Sequence, residues 1–227
     1  MAKPACMDTA ACIRPDERGA GLVLLPVLAT IFFYLTPNQW QDYTLLQFFS
    51  QGLAYLGLVL WIGLNTHIVR RFGLEPEKLL TGAAWGIAVG LLLGAINLFV
   101  ILKIIPWLGI DITFLRRTPH ARIPFWLMMP LFIVLIACFV EINFRGFLLG
   151  RLLALGLPST LAIAASAVLF AFDPFMVATF KHLHWIAVWD GLVWGLLWVR
   201  LRNLYATIAA HAVEVIVMYS VVRAVLN

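Results

Sequence analysis

The sequence predicts an all-α fold: a polytopic membrane helix bundle of about seven transmembrane helices plus interfacial segments. Three observations predict it. Of the 227 residues, 63% are hydrophobic, and the mean hydropathy is +0.97. Only 12% are charged, where soluble domains carry about 25%. The apolar residues gather into runs close to the roughly 20 residues that a helix needs to cross a bilayer. A soluble fold of this size cannot bury so much apolar surface, whereas lipid solvates it. No polar stretch is long enough for a separate water-soluble domain.

The candidate spans fall at about 20–36, 44–65, 80–105, 124–142, 158–173, 183–200 and 204–225. They form one integral membrane domain: a tail (1–19), N-terminal membrane helices (20–122) and helices that carry the motifs (123–227). The tail holds Asp8, Asp16 and Glu17, and no small-residue cleavage site follows the first run, so a signal peptide is not expected. The fourth run extends to 154, longer than one span needs. It predicts a crossing helix followed by an interfacial turn, with Gly146 and Gly150 as weak points. The fifth and sixth runs are short and stop at Asp173-Pro174 and Arg200. The connection at 106–123 mixes Trp and Leu with Arg116 and Arg117, as a segment at headgroup level does.

The net charge of +5 belongs to topology rather than to nucleic acid, because most Lys and Arg sit between apolar runs. One side collects Lys3, Arg14, Arg18, Arg70, Arg71, Lys78, Arg151, Arg200 and Arg202. The other collects Lys103, Arg116, Arg117, Arg122, Lys181 and Arg223. The bias predicts a cytoplasmic N-terminus, and the expected location is a bacterial inner membrane. Cys6, Cys12 and Cys138 form no metal-binding or disulfide pattern. No cofactor is expected, and a divalent metal stays open. The lipid bilayer is the first expected partner.

Seven of the eleven acids (Asp8, Asp16, Glu17, Asp42, Glu75, Glu77 and Asp111) fall in tails or loops, where solvation explains them. Glu141, Asp173, Asp190 and Glu214 fall in or at the ends of spans, together with His182, His184 and His211. A charge at mid-bilayer costs about 2.5–3.5 kcal/mol on insertion scales, so these side chains are expected to face protein and to have partners. Glu141 and Arg145 are four apart and share a helix face. A buried ion pair that only ties helices together explains them as well as chemistry does. His211 and Glu214 share a face of the last span. Asp190 sits among Trp185, Trp189, Trp194 and Trp198, a stripe that reads as packing; Arg145 or a histidine are its candidate partners. The HLH at 182–184 reads as a solvated polar edge. Ser166 lies among small residues that let helices approach, and no GxSxG, HExxH or P-loop pattern occurs.

Three segments, VEINFRGFLLGRL (140–152), SAVLFAFDP (166–174) and GLLWVRLRNLYATIAAHAVEV (195–215), together resemble the motifs of the CAAX-processing and bacteriocin-processing (CPBP, or Abi-type) intramembrane proteases. The resemblance covers about residues 124–220. It implies a membrane endopeptidase in which a glutamate and histidines activate water against a peptide carbonyl, while a polar residue of the third segment holds the oxyanion. Carried across, Glu141, Arg145 and His211 match the second glutamate, the arginine and the third-segment histidine. The first glutamate is Val140, the second-segment histidine is Pro174, and the asparagine is Val215. Asp173, His184 and Glu214 are the residues from which a rearranged site could be drawn, although Glu214 is expected to point roughly 100° away from the Val215 direction.

Two functions follow. One, which the resemblance implies, is a protease with a divergent site built on Glu141, Arg145 and His211, with a membrane-anchored or prenylated peptide as substrate. The other is a catalytically inactive relative that binds a partner or serves as an accessory or assembly subunit of a membrane protein complex. A proton or small-molecule carrier using Asp190, His211 and Glu214 is disfavoured, because no internal repeat is present.

Overall fold

A computed structural model of the chain describes residues 17–118, 123–128 and 133–226. The expected helical bundle is what forms, and no strand occurs among the described residues. The main helices are α1 (Leu24–Leu35), α2 (Thr44–Leu64), α3 (Leu79–Phe99), α4 (Val134–Glu141), α5 (Ser159–Ala171), α6 (Pro174–Phe180), α7 (Ile186–Leu201) and α8 (Leu204–Leu226). Among the described residues Thr44–Leu64, Ile68–Trp107 and Leu204–Val225 are each long and apolar enough to cross a membrane. Ser159–Ala171 and Pro174–Leu183 make a fourth span if the pair, bent by 53°, is one broken crossing. The outward faces stay apolar: Leu80, Leu45 and Leu35 are 79–83% exposed, which suits a lipid solvent.

The principal packing surface joins α3 to α8. Gly82, Gly86, Gly90 and Gly94 recur every four residues along α3, so they stack on one face. A Cβ added at Gly86 or Gly90 would stand 2.4 or 2.5 Å from the carbonyl oxygens of Ala206 and Ala210. Missing side chains therefore let two backbones touch, as small residues do between membrane helices. The same device joins α5 to α7, where Gly191 abuts Ala167. Next to it the Ser166 hydroxyl donates to the Phe144 carbonyl at 3.1 Å.

The fourth run departs from expectation. Its helix does not turn at Gly146 and Gly150. It continues from α4 through wide, π-helical turns over Ile142–Leu149 and a further turn at Gly150–Ala154, and reverses only at Gly156 (φ +89°). The two glycines serve packing instead: Phe72 lies against Gly146 and Trp198 against Gly150. Residues 129–132 of this run lie outside the described residues, as do residues 1–16 of the tail, with Lys3, Cys6, Asp8, Cys12, Arg14 and Asp16 among them.

Glu17 and Arg151 are not solvated loop charges, a second correction. Glu17 pairs with Arg71 (3.3 Å) and with Arg151, and accepts from the Trp61 indole at 3.3 Å, with these three charged side chains only 5–8% exposed. The Arg151 guanidinium also lies 3.8 Å over the Trp61 ring. Two arginines can be buried beside one acid here because they share its charge and Arg151 has an aromatic face besides.

Candidate functional site

Glu141 closes α4 and is fully buried. Its Oε1 accepts from Arg145 Nη1 at 3.0 Å and meets His211 Nδ1 of α8 at 2.9 Å. The wide winding begins at the next residue, and such windings are frequent at functional sites. Nε and Nη2 of Arg145 have no hydrogen-bond partner among the described residues. The guanidinium lies instead 4.7 Å over the Phe170 ring and 5.0 Å over Trp194, so π faces replace acceptors. The His211 ring stacks on the same Trp194, with centroids 4.4 Å apart and planes at 18°. A carboxylate only accepts, so its contact with Nδ1 assigns a proton to that nitrogen.

A second cluster lies beside the first. Asn97, near the end of α3, is fully buried. Its Nδ2 donates to both oxygens of Asp190 (3.1 and 3.2 Å) and to Glu214 Oε1 (2.9 Å). Its Oδ1 accepts from the Trp189 indole at 2.8 Å. Indole N–H can only donate, so it fixes which end of the amide faces the acids. Asp190 is thus held first by Asn97, and the open choice between Arg145 and a histidine resolves mainly to neither. Arg145 contributes only through its nearby charge.

A cavity of about 700 Å³ opens between α2, the α4 helix, α6, α7 and α8. Val140, Phe170 and Val215 line it, as do His211, Asp190 and Glu214. The lining therefore contains two of the three positions where the resemblance expects a polar group and this chain has none. Glu214 and Val215 both line it, so the chamber is wide enough to meet two directions roughly 100° apart on α8. Glu141 and Arg145 are not in the lining. Asp173 lines the cavity but acts as a cap, accepting from the Phe175 N–H at 3.1 Å and from Gln51 Nε2 at 2.8 Å. Pro174 starts α6 on that cap, as proline does at a first helical position. His184 reaches the cavity wall, with Nδ1 engaged by the Lys181 carbonyl and its ring edge-on to Phe172. His182 is exposed and meets the carbonyl of Asp111 at 3.1 Å, the solvated edge that HLH suggested. The Asp111 carboxylate is held below the usual range, first by the Thr113 backbone N–H and then by its hydroxyl. Among the described residues no three His, Cys, Asp or Glu side chains are placed to hold a metal ion.

Sequence reasoning missed Asn97, Gln51 and the Glu17 network. Asn97 carried a usable signal, since an amide inside the apolar run 80–105 is as anomalous as an acid there. Glu17 carried none, because its partners Arg71 and Arg151 lie far along the chain.

Residues 122–217 match the family model described as type II CAAX prenyl endopeptidase Rce1-like. The match agrees with the CPBP resemblance over that segment. Together with the apolar helices it supports an integral membrane, CAAX-protease-like protein. No curated protein and no solved structure matches the chain.

Proposed function

Taking the Rce1-like match over residues 122–217 as premise, we propose that this chain is a non-hydrolytic relative of the CAAX-type proteases. In this reading the protease chamber persists as a binding site for a membrane-embedded partner, and the protein acts as an accessory or assembly subunit. It sits in a bacterial inner membrane with its N-terminus in the cytoplasm. One observation carries the reading. The cavity is faced by Val140 and Val215, where the resemblance expects an acid and an amide, while the retained Glu141 is withdrawn from it and held by Arg145 and His211. Valine can neither move a proton nor hold an oxyanion, and a carboxylate engaged on a buried guanidinium is a poor base.

The competing reading is an endopeptidase in which Glu141 activates water with His211, with Asp173, His184 or Glu214 as a third group. One contact favours it: the carboxylate–imidazole pair at 2.9 Å, whose imidazole faces the cavity. Cleavage of a farnesylated peptide by the purified protein in liposomes separates the two. The non-hydrolytic reading expects no turnover from the unaltered chain and none from Glu141→Gln. Turnover that vanishes in Glu141→Gln and His211→Ala, with both variants still inserted and folded, overturns it.

A further inference from the structure

The cavity has an uneven chemistry. One stretch of its wall is apolar, built on Ile101, Leu115, Ile186 and Val222. Elsewhere Asp190, Glu214 and His211 line it, and no Lys or Arg among the described residues does. Asp190 and Glu214 are brought together on one Asn97 amide, and His211 lies three residues from Glu214 on the same face of α8. Glu214 and His211 are 3% and 8% exposed and both line the cavity. Among the described residues neither Oε2 of Glu214 nor Nε2 of His211 has a hydrogen-bond partner. Arg145, whose charge lies near Asp190, is directed to Glu141 and to two aromatic faces. The volume of about 700 Å³ falls within the roughly 300–1,000 Å³ of small-molecule sites.

Resting on the reading of the chamber as a binding site, we infer that it takes an amphiphile with a protonated primary amine head and a hydrocarbon tail. An ammonium group presents N–H donors, which Asp190 and Glu214 Oε2, brought together on Asn97, can accept. It also supplies the positive charge that two acids beside one another need in a low-dielectric setting. The tail follows the Ile101–Val222 wall. A fatty carboxylate is rejected by charge. A quaternary ammonium satisfies charge but offers no N–H.

Dodecylamine is the probe, measured by equilibrium binding to the full chain in phosphatidylcholine nanodiscs against empty discs. Dodecanol, dodecanoate and dodecyltrimethylammonium serve for comparison. Dodecylamine is expected to bind at least about tenfold more tightly than dodecanol, with the quaternary amine between them and dodecanoate weakest. Asp190→Asn with Glu214→Gln keeps an acceptor oxygen for Asn97 and is expected to reduce the amine to the level of dodecanol. Should that double variant fail to fold, Val215→Trp blocks the cavity with both acids intact, and it too is expected to abolish saturable binding. Equal affinity for amine and alcohol, or full amine binding by the double variant or by Val215→Trp, overturns the inference. Such a result leaves the non-hydrolytic reading standing, whereas peptide turnover sinks that reading whatever the amine does.

Discussion

Arg145 is the residue on which the retained motif depends. Fully buried, it neutralises Glu141 and spreads its remaining donors over Phe170 and Trp194. Arg145→Ala therefore strands a carboxylate in the bundle, and breaking one side of a buried pair costs about 3–5 kcal/mol. Thermal unfolding in detergent should show a large fall for Arg145→Ala and a much smaller one for Glu141→Leu with Arg145→Met, which removes both charges. Equal losses would mean that the side chains matter through volume alone. Asn97 supports a finer test. Asn97→Leu leaves two acids and an indole N–H without their partner, at about 1–3 kcal/mol for each stranded group. Asn97→Asp is worse near neutral pH, because it turns an acceptor toward two other acceptors. Lowering the pH until a carboxyl crowded by two other acids takes up its proton should narrow the gap between these variants, since the substituted carboxyl can then donate again. A gap that stays constant with pH would contradict the assigned direction of the amide.

At the scale of elements, backbone contact between α3 and α8 sets where Asn97 arrives. Gly86→Ala places a methyl group against the Ala206 carbonyl, and overpacking of this kind costs about 1–3 kcal/mol. Gly52→Ala and Gly63→Ala on α2 meet nothing within 4 Å, so they should raise stability by up to about 1 kcal/mol through helix propensity. The opposite signs are checked by melting the three variants side by side; a neutral Gly86→Ala would show that the helices are free to separate. That the chain forms an apolar helical bundle was legible, since an apolar run leaves lipid little alternative. The seven crossings expected were not, because among the described residues only three helices, or four with the bent pair, are long and apolar enough. Nor was the winding of the helices. Gly146 and Gly150 looked like breaks because a glycine reads the same whether it frees a backbone or admits a ring, and only Phe72 and Trp198, distant in sequence, decide which. Glu141, Arg145 and His211 were legible because polar groups in a membrane demand partners. The convergence of Asp190 and Glu214 was not, because it runs through Asn97, an uncharged residue on a helix far from both in sequence.

On the scale of the whole molecule, buried ion pairs among the described residues are held in two places that share no residue. Glu141, Arg145 and His211 adjoin the cluster of Asn97, Asp190 and Glu214, linked by the charge of Arg145 near Asp190 and by the common face of His211 and Glu214. The second place, Glu17 with Arg71 and Arg151, ties the start of the described chain to the segment after α2 and to the end of the long motif helix. Arg145 and Arg151 are six residues apart on that helix, roughly 9 Å along its axis, far enough for separate responses. Glu17→Gln leaves two arginines without their acid and should itself destabilise by about 3–5 kcal/mol. Combined with Arg145→Ala it should add, within about 0.5 kcal/mol. Asn97→Leu combined with Arg145→Ala should fall short of additivity by more than that, because each already disturbs Asp190. Double-mutant cycles on thermal unfolding decide between the patterns. If the Glu17 and Arg145 losses couple as strongly as the Asn97 pair, the chamber extends along the motif helix to its far end, and the N-terminal segment becomes part of whatever the cavity does.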